Sequence, residues 1–585
     1  MDRTTATLHK PTPRPARWRD TGSPPPGDLP LAERVLAARG LTGEHASEFL
    51  SPKLNALHNP SGIPDIDRAA QRLLDAAEAG EPIAIYGDYD VDGCTGAAIL
   101  VRTLRALDAS EPITYIPHRV REGYGLHTAA LEVLAERGAR VVVSVDCGIT
   151  AQEQARAART LGLDLIITDH HHPPEQIEDV PDAFAVVHPR RPDSEYPFGE
   201  LCGAGVAYKL AWRMLTLRSG SEKVSPPHRS LLIDLLALAA MGTVADVVPL
   251  LGENRVLTRF GLGRVPSSPF PGLPALAIAS GMEPSDKVTA EDIGFKLGPR
   301  LNAAGRLSEG REALDLLITD DDAVAQTLAR TLSVHNERRR KMQKQTVDQA
   351  SAMVLDRGMD RDDRRAIVLA GEGWHPGVLG IVCSRLVEQF HRPAILLTQN
   401  SDGMLTGSGR SVEGFDLHGG LDACSEHLTK FGGHTAAAGL ALEPDRLDGF
   451  TEAFVKHANE HLQPETLCPA VRYDCVASLE DLTPDACRIL ESLGPFGAAH
   501  PPPRVLLRGL RADGPPKLLG SRGDHAAVLA RTKGDRRVRL LGWRMADRLS
   551  ALTHGDAFDA IVEPKLNRFN GRVSVEPTIV DFRTA

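Results

Sequence analysis

Five short apolar runs between residues 82 and 189 constrain this chain more than any other feature: "PIAIYGD", "PITYIPH", "VVVSVD", "DLIITDH" and "AFAVVHP". Each has the length of a strand. Between them lie stretches of helical periodicity, among them "TGAAILVRTLRAL", "HTAALEVLAERG" and "AQEQARAARTLG". Near-continuous apolar strands alternating with helices predict a parallel sheet covered on both faces, since a strand buried on both sides has no solvent face to make polar. The first four runs end in Asp88, His118, Asp146 and the cluster Asp169-His170-His171. In open sheets of this kind the ligand crevice lies beyond the carboxyl ends of the strands. Four strand ends carrying acids or histidines are therefore aimed at one crevice.

The rest of the chain divides where composition changes. At ~150 residues per domain, 585 residues suit three or four domains. Residues 1–30 are rich in proline and polar residues, lack the apolar core of a secretory signal, and read as a disordered tail. The α/β region covers 31–320, and in its mostly helical second half "LLIDLLALAAMGTVADVVPL" leads into a loop holding Asp246. Residues 321–358 contain no proline and no glycine before their last position, which predicts one connecting helix roughly 50 Å long at ~1.5 Å per residue. A second α/β domain spans 359–462 and carries the loops "GSGRS" and "FGGHTAAAG". Residues 463–585 open with a linker and the break "LGPFGAAHPPPR", then turn to short strands with a turn signal at Asn570-Gly571. They predict a small OB-type barrel. No run approaches the ~18 apolar residues of a membrane span, so no membrane association is expected. The eight cysteines form no CxxC pair and suit a reducing cytoplasm. A net charge of −10 signals no global affinity for polyanions, so any such site must be local.

"GDYDVDG" sets Asp88, Asp90 and Asp92 on a strand end and the turn after it. Alternate residues of a strand share a face, so Asp88 and Asp90 can reach one point. Three carboxylates this close repel one another unless cations sit among them. A calcium-type loop and an Asx-turn opening a helix are the competing explanations. An EF-hand is excluded, because no Glu follows at the required spacing. Adding Asp146, the Asp169-His170-His171 cluster and Asp246 favours a metal centre. Carboxylates with one or two imidazoles and no thiolate suit Mn²⁺ or Mg²⁺. Shared between two ions ~3.5–4 Å apart, such a set clamps a phosphate undergoing displacement. A lone histidine at a strand end is ordinarily a hydrogen-bonded structural residue; beside four converging acids the ligand reading takes precedence.

The stretches "GDYDVDG", "VDCGIT", "TDHHHPP" and "GTVADVVPL" resemble the four motifs of the DHH phosphoesterase superfamily. With "YIPHRVREGYGLH", "LCGAGVAYKL", "GPRLNAAGRL", "GWHPGVLGIVCSRL" and "FGGHTAAAGL" in order, the chain from about residue 30 is similar to the RecJ family of single-strand-specific 5′→3′ exonucleases. The resemblance implies a parallel-sheet DHH domain, a connecting helix, a DHH-associated domain and an OB barrel. It implies that Asp88, Asp90, Asp146, His170 and Asp246 bind Mn²⁺ or Mg²⁺, two ions in all. Asp146, His170 and His171 would serve catalysis, with His171 against the scissile phosphate or supporting the ligands. Asp169 would orient a histidine, Asp92 would be a turn or outer residue, and His172 a bystander. A 5′-phosphate pocket would draw on Arg119, Arg306 and Arg410, whose guanidinium forks suit phosphate, and on Ser408. Gly432, Gly433 and His434 would let backbone N–H groups approach the nucleic acid, unless the glycines merely serve the turn. His375 is a weaker candidate.

The substrate implied is single-stranded DNA, cut from its 5′ end to 5′-mononucleotides in repair and recombination. Two α/β domains would leave a groove too narrow for duplex. The basic run Arg338-Arg339-Arg340-Lys341 reads first as a solvated helical face. Arg531, Lys533, Arg536, Arg537 and Arg539 form a local basic patch in the barrel that would suit the incoming strand. The family suggests a single-strand-binding protein and a RecQ-type helicase as partners, and nothing resembles an obligate interface, so a monomer is expected. Two alternatives remain. A DHH phosphodiesterase for short oligonucleotides or cyclic dinucleotides usually has a metal-binding histidine four residues before the first Asp, where this chain has Ala84. A non-catalytic replication scaffold would have lost ligands, and none is missing.

Overall fold

The computed structural model describes residues 16–21, 29–119, 121–221, 223–307, 310–532, 536–569 and 571–584. These form two compact units, one of residues 52–341 with 495–501, the other of residues up to 51, 342–494 and from 502 onward.

The first unit is built on a five-stranded sheet of β1 (Ile83–Gly87), β2 (Ile113–Tyr115), β3 (Val141–Val145), β4 (Asp164–Thr168) and β5 (Ala185–Val187). All pairs are parallel and the order is β2-β1-β3-β4-β5. Chain direction across the sheet therefore reverses between β1 and β3, and that reversal opens a crevice at their carboxyl ends. Asp88 follows β1 and Asp146 follows β3, one on each side of it.

Helices α1 (Val91–Ala106), α2 (Gly203–Arg218) and α3 (Pro226–Ala245) pack on one another beside this sheet. They approach closely because small residues meet. A Cβ on Gly96 would lie 2.6 Å from Val145 Cγ1, and one on Gly242 2.5 Å from Ala204 Cβ. By length and composition α3 could cross a bilayer, which the count of apolar runs had not anticipated. Its residues Leu235 to Thr243 are instead buried in the core of this unit.

A helix Asp322–Asp356 leaves the first unit and enters the second. There β6 (Ile367–Ala370), β7 (Ala394–Gln399), β8 (Leu405–Arg410), β9 (Lys430–Gly433) and β10 (Ala437–Leu442) form a mixed sheet in the order β9-β10-β8-β7-β6. Beyond it, β11 (Val505–Ala512), β12 (His525–Arg531), β13 (Arg537–Gly542), β14 (Ala557–Glu563) and β15 (Thr578–Thr584) close a barrel. Its circuit runs β11-β14-β15-β13-β12 and back to β11 through the β11–β12 pairing. A five-strand barrel with this connectivity is an OB fold.

Two expectations about the N-terminal residues are corrected. Within the supposed tail 1–30, Arg17–Asp20 form a strand that pairs in parallel with Ala470–Tyr473. Trp18 anchors it, donating from Nε1 to Asp581 Oδ2 at 2.6 Å beneath the Arg583 guanidinium. Residues 1–15 and 22–28 lie outside the described set. Helix Leu31–Ala38, expected in the catalytic domain 31–320, belongs to the second unit instead. Ion pairs hold it there, Arg34 to Asp481 at 2.8 Å and Arg39 to Asp474 at 2.8 Å.

Candidate metal centre

The crevice between β1 and β3 gathers the acids. Oxygens of Asp88, Asp90 and Asp146 lie within 4.8 Å of one another, and so do ligand atoms of Asp92, His170 and Asp246, and of Asp146, His170 and His171. Asp146 is common to two of these groups. Its Oδ1 is 3.1 Å from His170 Nε2, which is in turn 3.5 Å from Asp246 Oδ2.

Local structure explains how each residue is placed. Asp90 caps α1, accepting from the N–H groups of Asp92 at 2.8 Å and Gly93 at 3.1 Å through Oδ1. The Asx-turn and the metal explanations of "GDYDVDG" are thus compatible, since its second oxygen is left for the cluster. Gly93 has no substitute there, because a Cβ would sit 2.6 Å from the Asp88 backbone N. Asp92 is fully occupied: its two oxygens accept from Gly203 N at 2.6 Å and Ala204 N at 2.9 Å, which ties α1 to the start of α2. Asp146 adopts φ +66°, the left-handed region uncommon for a non-glycine residue, and packs against Gly203 where a Cβ would fall 2.6 Å away. Asp246 comes from elsewhere, as the residue closing α3.

The histidine pair is set by Asp169. Its Oδ1 accepts from the His170 and His171 backbone N–H groups at 2.7 and 3.2 Å and meets His171 Nδ1 at 2.7 Å; its Oδ2 accepts from Ile149 N at 2.9 Å. Burial opposes ionisation, but these hydrogen bonds hold Asp169 well below the usual carboxylate range. Burial also works against His171, yet the Asp169 bond and the surrounding carboxylates push it up to about 9. Burial lowers His170 to about 4, so its imidazole is neutral and able to donate a lone pair to a cation. His172 is exposed.

Three buried atoms in this crevice make no hydrogen bond: Asp88 Oδ1, Asp146 Oδ1 and His170 Nε2. A buried polar atom without a partner is costly, and three at one point call for a common partner. Burial and mutual repulsion raise the pKa of Asp88 and Asp146 well above the usual value and lift Asp246 to about 8. Divalent cations would supply the missing partner and neutralise the acids. The oxygen and imidazole donors fit Mn²⁺ or Mg²⁺.

His118 does not join the cluster. Strand β2 ends at Tyr115, and His118 sits in the turn beyond it, accepting through its carbonyl from Arg121 and Glu122. Its neighbour Arg119 lies instead over the ring of Tyr89, 4.7 Å from the centroid. Arg306 approaches the same tyrosine, whose hydroxyl feels both guanidinium charges. A helix Gly298–Leu307 can come so near because a Cβ on Gly305 would already lie 2.8 Å from the Tyr89 carbonyl.

Ser408, Arg410, Gly433 and His434 come together in the second unit. Ser408 and Arg410 share one face of β8, opposite Gly439 and Ala437 of β10, and Gly433 pairs with Ala438. Gly433 has φ +144° and a Cβ there would meet the Ala437 carbonyl at 2.4 Å. His434 donates from its backbone N–H to that carbonyl at 2.8 Å. Gly432 aligns with Gly439, in the same cross-strand row as Ser408. His375 caps the helix Pro376–Phe390 through Nδ1, a structural employment.

The barrel patch is less free than its sequence suggested. Arg537 and, at longer range, Arg531 face Asp513, Arg539 pairs with Glu576, and Arg536 donates to the carbonyls of Glu480 and Leu482. Lys533 and Asn570 lie outside the described residues. Arg338, Arg340 and Lys341 are exposed.

Four contributors were not singled out beforehand. Tyr124 Oη lies 3.0 Å from His171 Nδ1 and 3.2 Å from the Asp146 carbonyl, between two glycines with φ +88° and +103°. His188 Nε2 meets the His171 carbonyl at 2.8 Å, and Arg190 donates to the His170 carbonyl at 2.6 Å. The rule that flagged four strand ends, applied to the fifth, finds His188. In the barrel, Trp543 is half-exposed beside His525.

Three family descriptions match the chain: "DHH family, N-terminal domain" over residues 82–243, "DHHA1 domain" over 363–460 and "RecJ OB domain" over 473–581. Among curated proteins, it is 36% identical over 554 residues to a single-stranded-DNA-specific exonuclease RecJ of Bacillus subtilis, covering 94% of this chain and 68% of that protein. It is 35% identical to the RecJ of Thermus thermophilus, covering 97% and 78%. The crystal structure of RecJ from Thermus thermophilus in complex with Mn²⁺ superposes with a TM-score of 0.79 at 33% identity, covering 97% of this chain and 79% of that one.

Proposed function

Because the chain belongs to the RecJ family of single-stranded-DNA-specific exonucleases, we propose that it is a metal-dependent 5′→3′ exonuclease, hydrolysing single-stranded DNA to 5′-mononucleotides in repair and recombination. The observation that carries the reading is the trio of buried, unpartnered ligand atoms on Asp88, Asp146 and His170.

In this reading Asp88, Asp90 and Asp146 would hold one cation, and His170 and Asp246 would hold a second. When bound, Mn²⁺ or Mg²⁺ supplies an activated water and offsets charge developing on the phosphate. The chain's own residues do the rest. Asp169 accepts a hydrogen bond from His171 Nδ1–H and keeps that ring an imidazolium, so its Nε2–H is the donor that would meet a phosphate oxygen. Asp92 fixes the approach of α2 to the acids, and Tyr124 braces the His171 ring.

Polarity would come from guanidinium groups recognising a terminal phosphate. Two separate sets are candidates for it: Arg119 and Arg306 at Tyr89 in the first unit, and Ser408 and Arg410 with the Gly433-His434 turn in the second. The face of β12 and β13 carrying Leu529, Arg531, Arg537 and Arg539, with the half-exposed Trp543 in the turn after β13, supports the barrel's role in holding single-stranded DNA through stacking and charge. A monomer that works with a single-strand-binding protein and a RecQ-type helicase completes the proposal. All eight cysteines are free thiols, which supports the cytoplasmic placement.

The test is purified protein with Mn²⁺ and Asp146→Ala beside it. The variant should lose nuclease activity while keeping its circular-dichroism spectrum. Full activity in a folded variant would remove the assigned centre.

A further inference from the structure

Between helix Pro484–Ser492 and β11, the chain makes an excursion into the first unit: residues 495–501 of "LGPFGAAHPPPR" pack there, far in sequence from everything around them. The excursion is a preformed knob. Gly497 and His500 exchange backbone hydrogen bonds at 2.9 and 3.1 Å, the Phe496 and His500 rings stack at 5.4 Å, and Ala499 takes φ +56° to close the turn. His500 is buried.

The knob grips the loop that follows Asp246. Leu250 donates its backbone N–H to the Ala498 carbonyl at 3.0 Å. Its side chain fills the place where Gly497 has none, since a Cβ there would lie 2.6 Å from Leu250 Cδ1. Arg255, buried one turn into the next helix (Gly252–Leu262), reaches the Pro495 carbonyl at 3.5 Å. From the other side Asn254 donates to the carbonyls of Pro249 and Glu200. The loop so clamped includes Val247 at φ +62°, a conformation that a β-branched residue does not adopt unaided.

Asp246 differs from the other acids in its support. Asp88 and Asp146 stand on strand ends within the sheet, whereas Asp246 closes a helix and its outgoing backbone is this strained loop. We propose that the 495–501 knob is a positioning element for the metal centre, holding the 246–251 loop in the strained form that presents the Asp246 carboxylate. Gly497 is its key position, because a Cβ there would force the Leu250 side chain to shift.

The inference rests on Asp246 being a cation ligand, so the test separates the two claims. Mn²⁺ binding to the full-length protein is measured by calorimetry for the wild type, Gly497→Ala, Gly497→Val, Asp246→Asn and the double variant Gly497→Val/Asp246→Asn. Asp246→Asn should weaken one Mn²⁺. Gly497→Val should weaken the same ion about 10-fold, the usual effect of disturbing the support behind a ligand, with Gly497→Ala between it and wild type. The KM for single-stranded DNA should stay unchanged. In the double variant the Gly497 change should add nothing, because it acts through Asp246. Unaltered Mn²⁺ binding in Asp246→Asn overturns the ligand assignment. Weakened binding there, with wild-type binding in both Gly497 variants or with additive losses in the double variant, overturns the positioning role. Should Gly497→Val fail to fold, Gly497→Ala gives the same comparison.

Discussion

At the scale of single residues, the centre is organised by pushing neighbouring pKa values apart. His170 is neutral, His171 is cationic and Asp169 is a firm anion, while Asp88, Asp146 and Asp246 are driven toward neutrality unless a cation joins them. Asp246, lifted from 3.8 to about 8 by burial and then by Asp92 and Asp90, gives a pH prediction for the metal-free protein. A carboxyl whose pKa is raised by folding contributes stability below its ordinary value and loses that contribution as pH rises through the folded value. In EDTA, Asp246→Asn should therefore gain in melting temperature over wild type as pH is taken from 4 to above about 8, and Mn²⁺ should reverse the order. A difference that stays constant with pH contradicts the assignment. Arg410 makes a second residue-level prediction: Arg410→Ala should shrink the preference for 5′-phosphorylated over 5′-hydroxyl ends and leave Mn²⁺ affinity unchanged. Equal preference in variant and wild type would take Arg410 out of the phosphate pocket.

At the scale of elements, much was legible in the sequence. The apolar runs named the strands of the parallel sheet, and the polar residues after β1, β3 and β4 named the crevice, because a doubly buried strand leaves chemistry no place except its end. The same rule overreached at His118, since an edge strand can stop short of the residue that seems to finish it. It stopped too early at His188. The glycine-led packing of α1, α2 and α3 was not legible, because close approach depends on which glycines meet in space. Nor was the buried partner of Lys209 from "LCGAGVAYKL": its Nζ lies 2.5 Å from Oε1 of the distant Glu253, which also accepts from Tyr196 Oη at 2.6 Å and His58 N at 2.7 Å. Both charges are buried, so removing one strands the other. Lys209→Met should cost about 3–5 kcal/mol in denaturant unfolding, and adding Glu253→Gln should recover part of it. A loss below about 1 kcal/mol would mean that Glu253 finds another partner or protonates without penalty.

At the scale of the whole molecule, two features escaped sequence reasoning for the same reason. The strand Arg17–Asp20 and helix Leu31–Ala38 belong with C-terminal residues, and the 495–501 knob belongs with the catalytic unit. Proline-rich, polar sequence reads as tail or linker until its distant partners, Asp581 for Trp18 and Leu250 for Gly497, are known. The proposed function is that the strand-end acids, the helix-closing Asp246 and one neutral imidazole hold cations that cut single-stranded DNA from its 5′ end. It is tested most directly by the order in which label leaves an oligonucleotide tagged at either end, with Mn²⁺ or with EDTA. The account predicts immediate release of the 5′ label as a mononucleotide and late release of the 3′ label, with Mn²⁺ only and on single strands only. Early loss of the 3′ label, or release in EDTA, would contradict it.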